Sequence, residues 1–184
     1  MNPLSLLVNQ VRFNKQLEEL RPRLYRIAFS WSRTPELADD LVQETMVKAL
    51  KNAHQLKNKD AIDGWLFGIL NNCWRDHFRR LKEVEDIDNV ILINEITPPH
   101  IIETYNIVEK VRHAVAALPA GQNQVVTLVD LEGFSYNEVA EILDVPIGTV
   151  MSRLCRARNM LSKKLMELES DVVTNKAAHL RSIK

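Results

Sequence analysis

The chain has 184 residues, room for one domain or two small ones. Lys plus Arg (24) balances Asp plus Glu (24), so no global charge marks it as a binder of nucleic acid or of a membrane surface. No apolar run approaches the roughly 20 residues of a membrane span, and the N-terminus lacks the basic-then-apolar pattern of a secretory signal; a cytoplasmic protein is expected. Cys73 and Cys155 form no C-x-x-C pair and both fall in apolar helical contexts. Two buried, reduced thiols are therefore expected rather than a disulfide.

The pattern predicts an all-α protein. Phe13, Leu17, Leu20, Leu24, Ile27, Ala28 and Trp31 recur at three- and four-residue steps and define a long first helix. Thr34-Pro35 opens a second, with a hydroxyl N-cap followed by Pro at the first helical position. It runs to about Ala53, with Leu37, Leu41, Thr45 and Ala49 inward. His54 to Asp60 is polar and reads as a loop. A third helix runs from Ile62 to about Lys82, with Trp65, Leu66, Ile69, Leu70, Cys73 and Trp74 inward and Asn71, Asn72, Arg75, Arg79 and Arg80 exposed. The two Trp lie with the apolar stripe and read as core rather than as base-stacking groups.

Residues 83–105 hold six acidic side chains with no Lys or Arg, and Pro98-Pro99 cannot continue a helix. The expected organisation is a first domain over 1–85, an acidic linker over 86–105, a second domain over 106–168 and a frayed tail over 169–184. In the second half Ile107, Val108, Val111, Ala114, Val115 and Leu118 keep helical spacing up to Pro119. Gln122 to about Leu131 forms another helix, ended by Gly133 as C-cap. Ser135-x-x-Glu138 is a capping box for a short helix to Leu143. A turn at Asp144-Val145 then leads into a last helix, which makes a helix-turn-helix.

That last helix carries the chemistry. From Gly148 to Lys164 it has Arg153, Arg156, Arg158, Lys163 and Lys164 and no acidic residue. At about 100° per residue, Val150, Leu154, Ala157 and Leu161 share one side, while Thr149, Ser152, Arg153 and Arg156 cluster roughly 120° away. One side can pack while the other presents hydroxyls and guanidiniums, which suit guanine edges and phosphates.

Leu118-Pro119, then Leu131-Glu-Gly-Phe-Ser-Tyr136-x-Glu138-Val-Ala140, then Pro146-Ile-Gly-Thr-Val-Met-Ser-Arg-Leu-x-Arg-Ala-Arg158 resembles the C-terminal promoter-binding domain of bacterial extracytoplasmic-function sigma factors. Leu37-Ala-Asp-Asp-Leu-Val-Gln-Glu-Thr45 resembles the family's clamp-binding helix. Trp65-Leu-Phe-Gly-Ile-Leu-Asn-Asn-Cys-Trp-Arg-Asp76 resembles its −10-reading helix. The three stretches stand in series across about residues 10 to 168.

The resemblance implies a non-catalytic subunit that recruits core RNA polymerase to promoters through −10 and −35 elements and assists melting. Asp40, Gln43 and Glu44, on one helix face, are then expected to bind the clamp of the largest polymerase subunit. The loop over His54–Asp63 is expected to capture an unstacked base. Asn71, Asn72, Arg75, Arg79 and Arg80 are expected at the −10 strand, and Thr149, Ser152, Arg153, Arg156 and Arg158 at the −35 duplex. Arg158 is equally readable as one half of an intramolecular ion pair. An anti-sigma factor is implied as a further partner.

Asn123 stands where the family commonly has Arg, and Met151 where it often has Lys or Arg, so phosphate contacts are expected to be few and affinity without polymerase weak. The rival reading is a stand-alone helix-turn-helix regulator of an operator, which lacks the ligand or phosphoacceptor domain it would need. The five scattered His, with no phosphate loop or nucleophile elbow, predict no enzyme, no metal and no cofactor.

Overall fold

The computed structural model describes residues 3–56, 58, 61–85 and 107–181. The acidic stretch 86–105 expected to be a linker lies outside the described residues, as do Lys57, Lys59 and Asp60 of the predicted base-capturing loop. The described elements are helical throughout, without a strand among them. They are α1 (Pro3–Ser32), α2 (Pro35–Lys51), α3 (Ile62–Glu85), α4 (Ile107–Ala116), α5 (Ala120–Val126), α6 (Tyr136–Leu143) and α7 (Ile147–Arg181). A first compact unit is built on α1 to α3 and takes in Glu141–Asp144; a second is built on α4, α5, the start of α6 and α7.

In the first unit α1 buries Leu17, Leu24, Ile27, Ala28 and Trp31, the stripe its spacing predicts. Pro22 sits inside the helix. Its ring nitrogen cannot donate to the Glu18 carbonyl four residues back, and both residues are exposed, where water can serve that carbonyl instead. Arg33, at φ 63, turns the chain, its N–H donating to the Phe29 carbonyl at 2.8 Å.

Thr34 occupies the N-cap of α2 in an extended conformation, but the hydroxyl cap expected from the sequence is not made. The start is fixed instead by Pro35, whose φ is already helical, and by the Thr34 carbonyl, which accepts from the Ala38 amide and the Ser32 hydroxyl. The buried face of α2 is Ala38, Leu41, Val42, Thr45 and Ala49. Leu37, expected inward, is only half-buried, because the packed stripe is turned one residue towards Ala38 and Val42.

α3 buries Ile62, Leu66, Phe67, Leu70, Cys73 and Trp74. Phe67, absent from the predicted inward set, is the bulkiest fully buried side chain described. The Arg23 guanidinium of α1 lies 5.8 Å from its ring centroid and pairs with Asp63 in the first turn of α3. The Trp74 ring meets Trp31 edge-on at 6.2 Å and Phe78 at 4.3 Å. Trp74 is thus core, whereas Trp65 is half-buried beside Phe13.

In the second unit Ala114, Val115, Leu118, Val125, Val126, Leu128, Val139, Val150, Leu154 and Ala157 are buried. α5 passes into one wider, π-helical turn over Thr127–Leu131. Gly133 follows at φ 79, and the Phe134 amide donates back to the Leu128 carbonyl, the C-cap arrangement read from the sequence. The Ser135 hydroxyl accepts from the Glu138 amide at 3.3 Å, and a Glu138 carboxylate oxygen accepts from the Ser135 amide at 2.8 Å and hydroxyl at 2.7 Å. The predicted capping box is therefore closed.

Asp144, at φ 54, ends α6, and the Val145 amide donates to the Ala140 carbonyl. The Pro146 carbonyl then accepts the first amide bond of α7, from Thr149 at 2.8 Å. α7 runs on to Arg181, past the Leu168 limit expected from fading periodicity. No Pro or Gly follows Gly148, and Leu161, Leu165, Leu168 and Val172 keep four- and three-residue steps, so nothing in the sequence stops the helix.

Candidate nucleic-acid and partner-binding faces

The second unit builds one face from α7. Val150, Leu154 and Ala157 are buried and fix the helix by one side. Opposite them Ser152, Cys155, Arg156 and Asn159 are exposed, with Met151 beside them and Thr149 half-buried. The Arg156 Nε donates to the Ser152 carbonyl at 3.3 Å and its Nη2 lies 3.4 Å from the Ser152 hydroxyl. This guanidinium is folded back along its own helix.

Arg158 has a different situation. Its Nη2 donates to Asp130 Oδ1 at 2.6 Å and its Nε to Asp130 Oδ2 at 3.2 Å. This fork-to-fork pair, with the carboxylate as main cause, raises the Arg158 pKa above its ordinary value. Of the two roles the sequence left open, the intramolecular one is realised: Arg158 holds α7 to the π-helical turn.

Two expectations are corrected here, for Cys155 and Asn71, and Asn123 gains a packing role. Cys155, expected to be buried, is exposed. It follows Leu154 by one residue and so stands about 100° round the helix from the packed side. Asn123, expected to mark a lost phosphate contact, is buried, and its side-chain amide donates to the Val115 carbonyl at 2.9 Å, joining α5 to α4. An amide of this length satisfies a backbone acceptor that a longer, charged side chain would be costly to bury beside. Asn71, expected on the exposed face of α3, is only 2 % exposed. Four residues after Phe67 and three before Trp74, it shares their packed stripe.

The other α3 residues are where the sequence put them: Asn72, Arg75, Arg79 and Arg80 are exposed. On α2, Asp40 and Gln43 are exposed and Glu44 is half-buried at the edge of that face. A network missed by sequence reading ties the two helices. Lys48 Nζ lies 2.9 Å from Glu44 Oε1 and 3.4 Å from Asp76 Oδ2, Arg79 reaches Asp76 at 3.1 Å, and Arg80 reaches Glu44 at 3.7 Å. Burial opposes the Lys48 charge, but hydrogen bonding to Glu44 and the nearby negative groups outweigh it and raise its pKa. The Glu44–Lys48 spacing of four was legible; the cross-helix partners were not.

Cys73 lies beneath this network, 3.7 Å from the Thr45 hydroxyl. Burial pushes its thiol pKa up, against the hydrogen bond from Thr45 and the charge of Lys48. No group of three or more His, Cys, Asp or Glu side chains able to hold a metal occurs among the described residues.

Comparison with known proteins decides what these faces belong to. The family model for sigma-70 region 2 matches residues 17–84 and that for sigma-70 region 4 matches residues 109–161. The chain is 38% identical over 146 residues to the ECF RNA polymerase sigma factor EcfG of Rhodopseudomonas palustris, covering 78% of this chain and 80% of that one. The chain belongs to the extracytoplasmic-function sigma factors. It is a polymerase-binding subunit that confers promoter specificity, and the operator-binding alternative is not favoured.

This sigma factor is also 33% identical over 162 residues to SigM of Mycobacterium tuberculosis, covering 87% of its own length and 80% of SigM. Its fold matches that of the sigma factor RpoE from Bartonella quintana, solved in complex with the anti-sigma factor NepR, at a TM-score of 0.71 and 33% identity, over 84% of this chain and 97% of that one. No helix among its described residues is long and apolar enough to cross a membrane.

Proposed function

We propose that residues 1–85 form the polymerase- and −10-binding domain, residues 106–168 the −35-binding domain, 86–105 the linker between them and 169–184 a tail. In the first domain the exposed Asp40 and Gln43, with Glu44 at their edge, meet the clamp of the largest polymerase subunit. Their acidity suits a basic partner. Asn72 reads a base edge of the separated strand, and Arg75, Arg79 and Arg80 hold its phosphates. In the second domain Ser152 and Arg156, at the centre of the outer face of α7, read base edges of the −35 duplex, and Thr149 and Arg153 act beside them. Arg158 serves the fold through Asp130.

The protein works in the cytoplasm and catalyses no reaction itself. Its partners are core polymerase and promoter DNA, and an anti-sigma factor restrains it, as the NepR-bound relative supports by analogy. The observation that carries the reading is the succession of sigma-70 regions 2 and 4 in one chain, the second ending in a helix packed by Val150, Leu154 and Ala157 and bare at Ser152 and Arg156.

The test is in vitro transcription with purified core polymerase on a genomic promoter library. Defined start sites that appear only with this protein, and weaken with Arg156→Ala, are the expected outcome. A folded protein that directs no start, yet binds a duplex alone with high affinity, overturns the reading in favour of an operator-binding regulator.

A further inference from the structure

The outer face of α7 has two flanks, and each carries an arginine. Taking Val150, Leu154 and Ala157 as the packed side, Arg153 and Arg158 lie about 70° to either side of it. Both therefore border the outer face whose centre holds Ser152, Cys155 and Arg156. In a major groove, the centre of a recognition helix faces base edges, while its flanks face the sugar-phosphate walls. Arg158 is occupied by Asp130. Arg153 is half-buried and makes no hydrogen bond or ion pair among the described residues.

What holds Arg153 is a missing side chain. A Cβ added to Gly121, in the first turn of α5, would stand 3.1 Å from Arg153 Cζ, 3.2 Å from its Nε and 3.3 Å from its Nη1. Three atoms of one guanidinium at nearly equal distance mean that its plane lies face-on across the glycine. Gly64, Gly68, Gly133 and Gly148 have nothing within 4 Å of the same position. Gly121 also lacks the left-handed φ that Gly133 shows, so its backbone does not require glycine. In a helix, glycine is less favourable than alanine. Its distinguishing feature here is the space it leaves for a flat cation.

We propose that Gly121 is a positioning residue for promoter binding. Its bare Cα seats the Arg153 guanidinium flat against α5 and thereby aims the fork's unused N–H edge at a single backbone phosphate of the −35 duplex. This rests on the reading of α7 as the −35 helix. Arg153 so held pays less ordering entropy on binding than a solvated arginine, and it fixes the register of the helix without reading a base. Because the crowding atoms are the far end of a flexible side chain, Gly121→Ala moves the guanidinium without disturbing the core.

The experiment uses holoenzyme reconstituted from core polymerase and the full chain, binding duplex promoters that carry the −35 element and single-base variants of it. Gly121→Ala and Arg153→Ala are each expected to weaken binding, by up to about tenfold, equally across the −35 variants, and to reduce the salt slope by about 1. Gly121→Leu is expected to lose at least as much as Gly121→Ala. The double variant Gly121→Ala/Arg153→Ala is expected to lose no more than Arg153→Ala alone, because both act through one contact. Thermal stability of Gly121→Ala should be equal to or above that of the parent.

Additive losses in the double variant, an unchanged affinity for Gly121→Ala, or a loss confined to one −35 base overturns the positioning role. Arg156→Ala separates the two levels. If it too leaves −35 binding unchanged, α7 is not the −35 helix and both readings fall; if it weakens binding while Gly121→Ala does not, only the role of Gly121 falls.

Discussion

Cys155 and Cys73 show how much one residue of helical phase decides. Both sit in apolar helical sequence, yet Cys73 is fully buried with a raised thiol pKa and Cys155 stands in solvent between Ser152 and Arg156. The thiolate is the reactive form, so a maleimide at neutral pH should label one thiol per native chain, at Cys155. Labelling in the holoenzyme should slow when a −35 duplex is bound, and a promoter lacking the −35 element should not slow it. Equal labelling of both cysteines, or no protection by the duplex, would contradict the assigned face.

The capping box at Ser135 makes a pH-dependent claim. Hydrogen bonds from the Ser135 hydroxyl and then the Ser135 amide hold the Glu138 carboxyl below its ordinary pKa of 4.5. A depressed folded pKa stabilises the native state above the ordinary value, and that contribution disappears as pH falls through the depressed one. An NMR titration should find Glu138 titrating below 4.5, and Ser135→Ala should move it back up. The same substitution should cost about 1 kcal/mol of stability at neutral pH through the lost N-cap. An unmoved Glu138 would mean that the box is open in solution.

Helices are governed by what stops them as much as by what forms them. Thr34-Pro35 and Gly133 end or begin elements where the sequence says they should, because the fixed φ of proline and the left-handed φ of glycine are local properties. Arg33 and Asp144 adopt left-handed conformations without glycine; the turn at Asp144 is read from the sequence, whereas nothing local marks Arg33.

Pro22 is the opposite case, a breaker that α1 absorbs because packing of Leu17, Leu24, Ile27 and Trp31 on both sides outweighs the lost hydrogen bond. Pro22→Ala should therefore raise the stability of the α1–α3 unit, by about 1 to 3 kcal/mol. Trp31, Trp65 and Trp74 all lie in this unit, so the urea transition seen by tryptophan fluorescence reports on it directly. An unchanged or lower urea midpoint would show that Pro22 fits α1 without cost.

At the scale of the whole molecule, net charge hides the function. The cations of α7 are few, Arg158 is neutralised by Asp130, and the exposed Met151 carries no charge. The isolated chain should accordingly bind −35 duplex weakly, with a slope of log affinity against log salt no steeper than about −4. Fluorescence anisotropy across a salt series measures it. A slope near that of a protein with many phosphate contacts would show that basic surface elsewhere takes part.

The sequence by itself determined the all-helical class, the helix-turn-helix, the capping box and the apolar stripe of each helix, together with the resemblance that the comparisons bear out. These follow from spacing within a single element, where about 100° per residue leaves little freedom. What only the tertiary structure decided is how far each stripe extends and who sits across from whom. Asn71 and Asn123 turned out to be packed, Cys155 open, Arg158 paired to Asp130, Glu44 tied to Lys48 and Arg80, and Arg153 laid across Gly121. The Arg158–Asp130, Glu44–Arg80, Asn123–Val115 and Arg153–Gly121 contacts each join two helices at a sequence separation that periodicity does not reach, so the same amide or guanidinium reads alike in the sequence whether it is packed or bare.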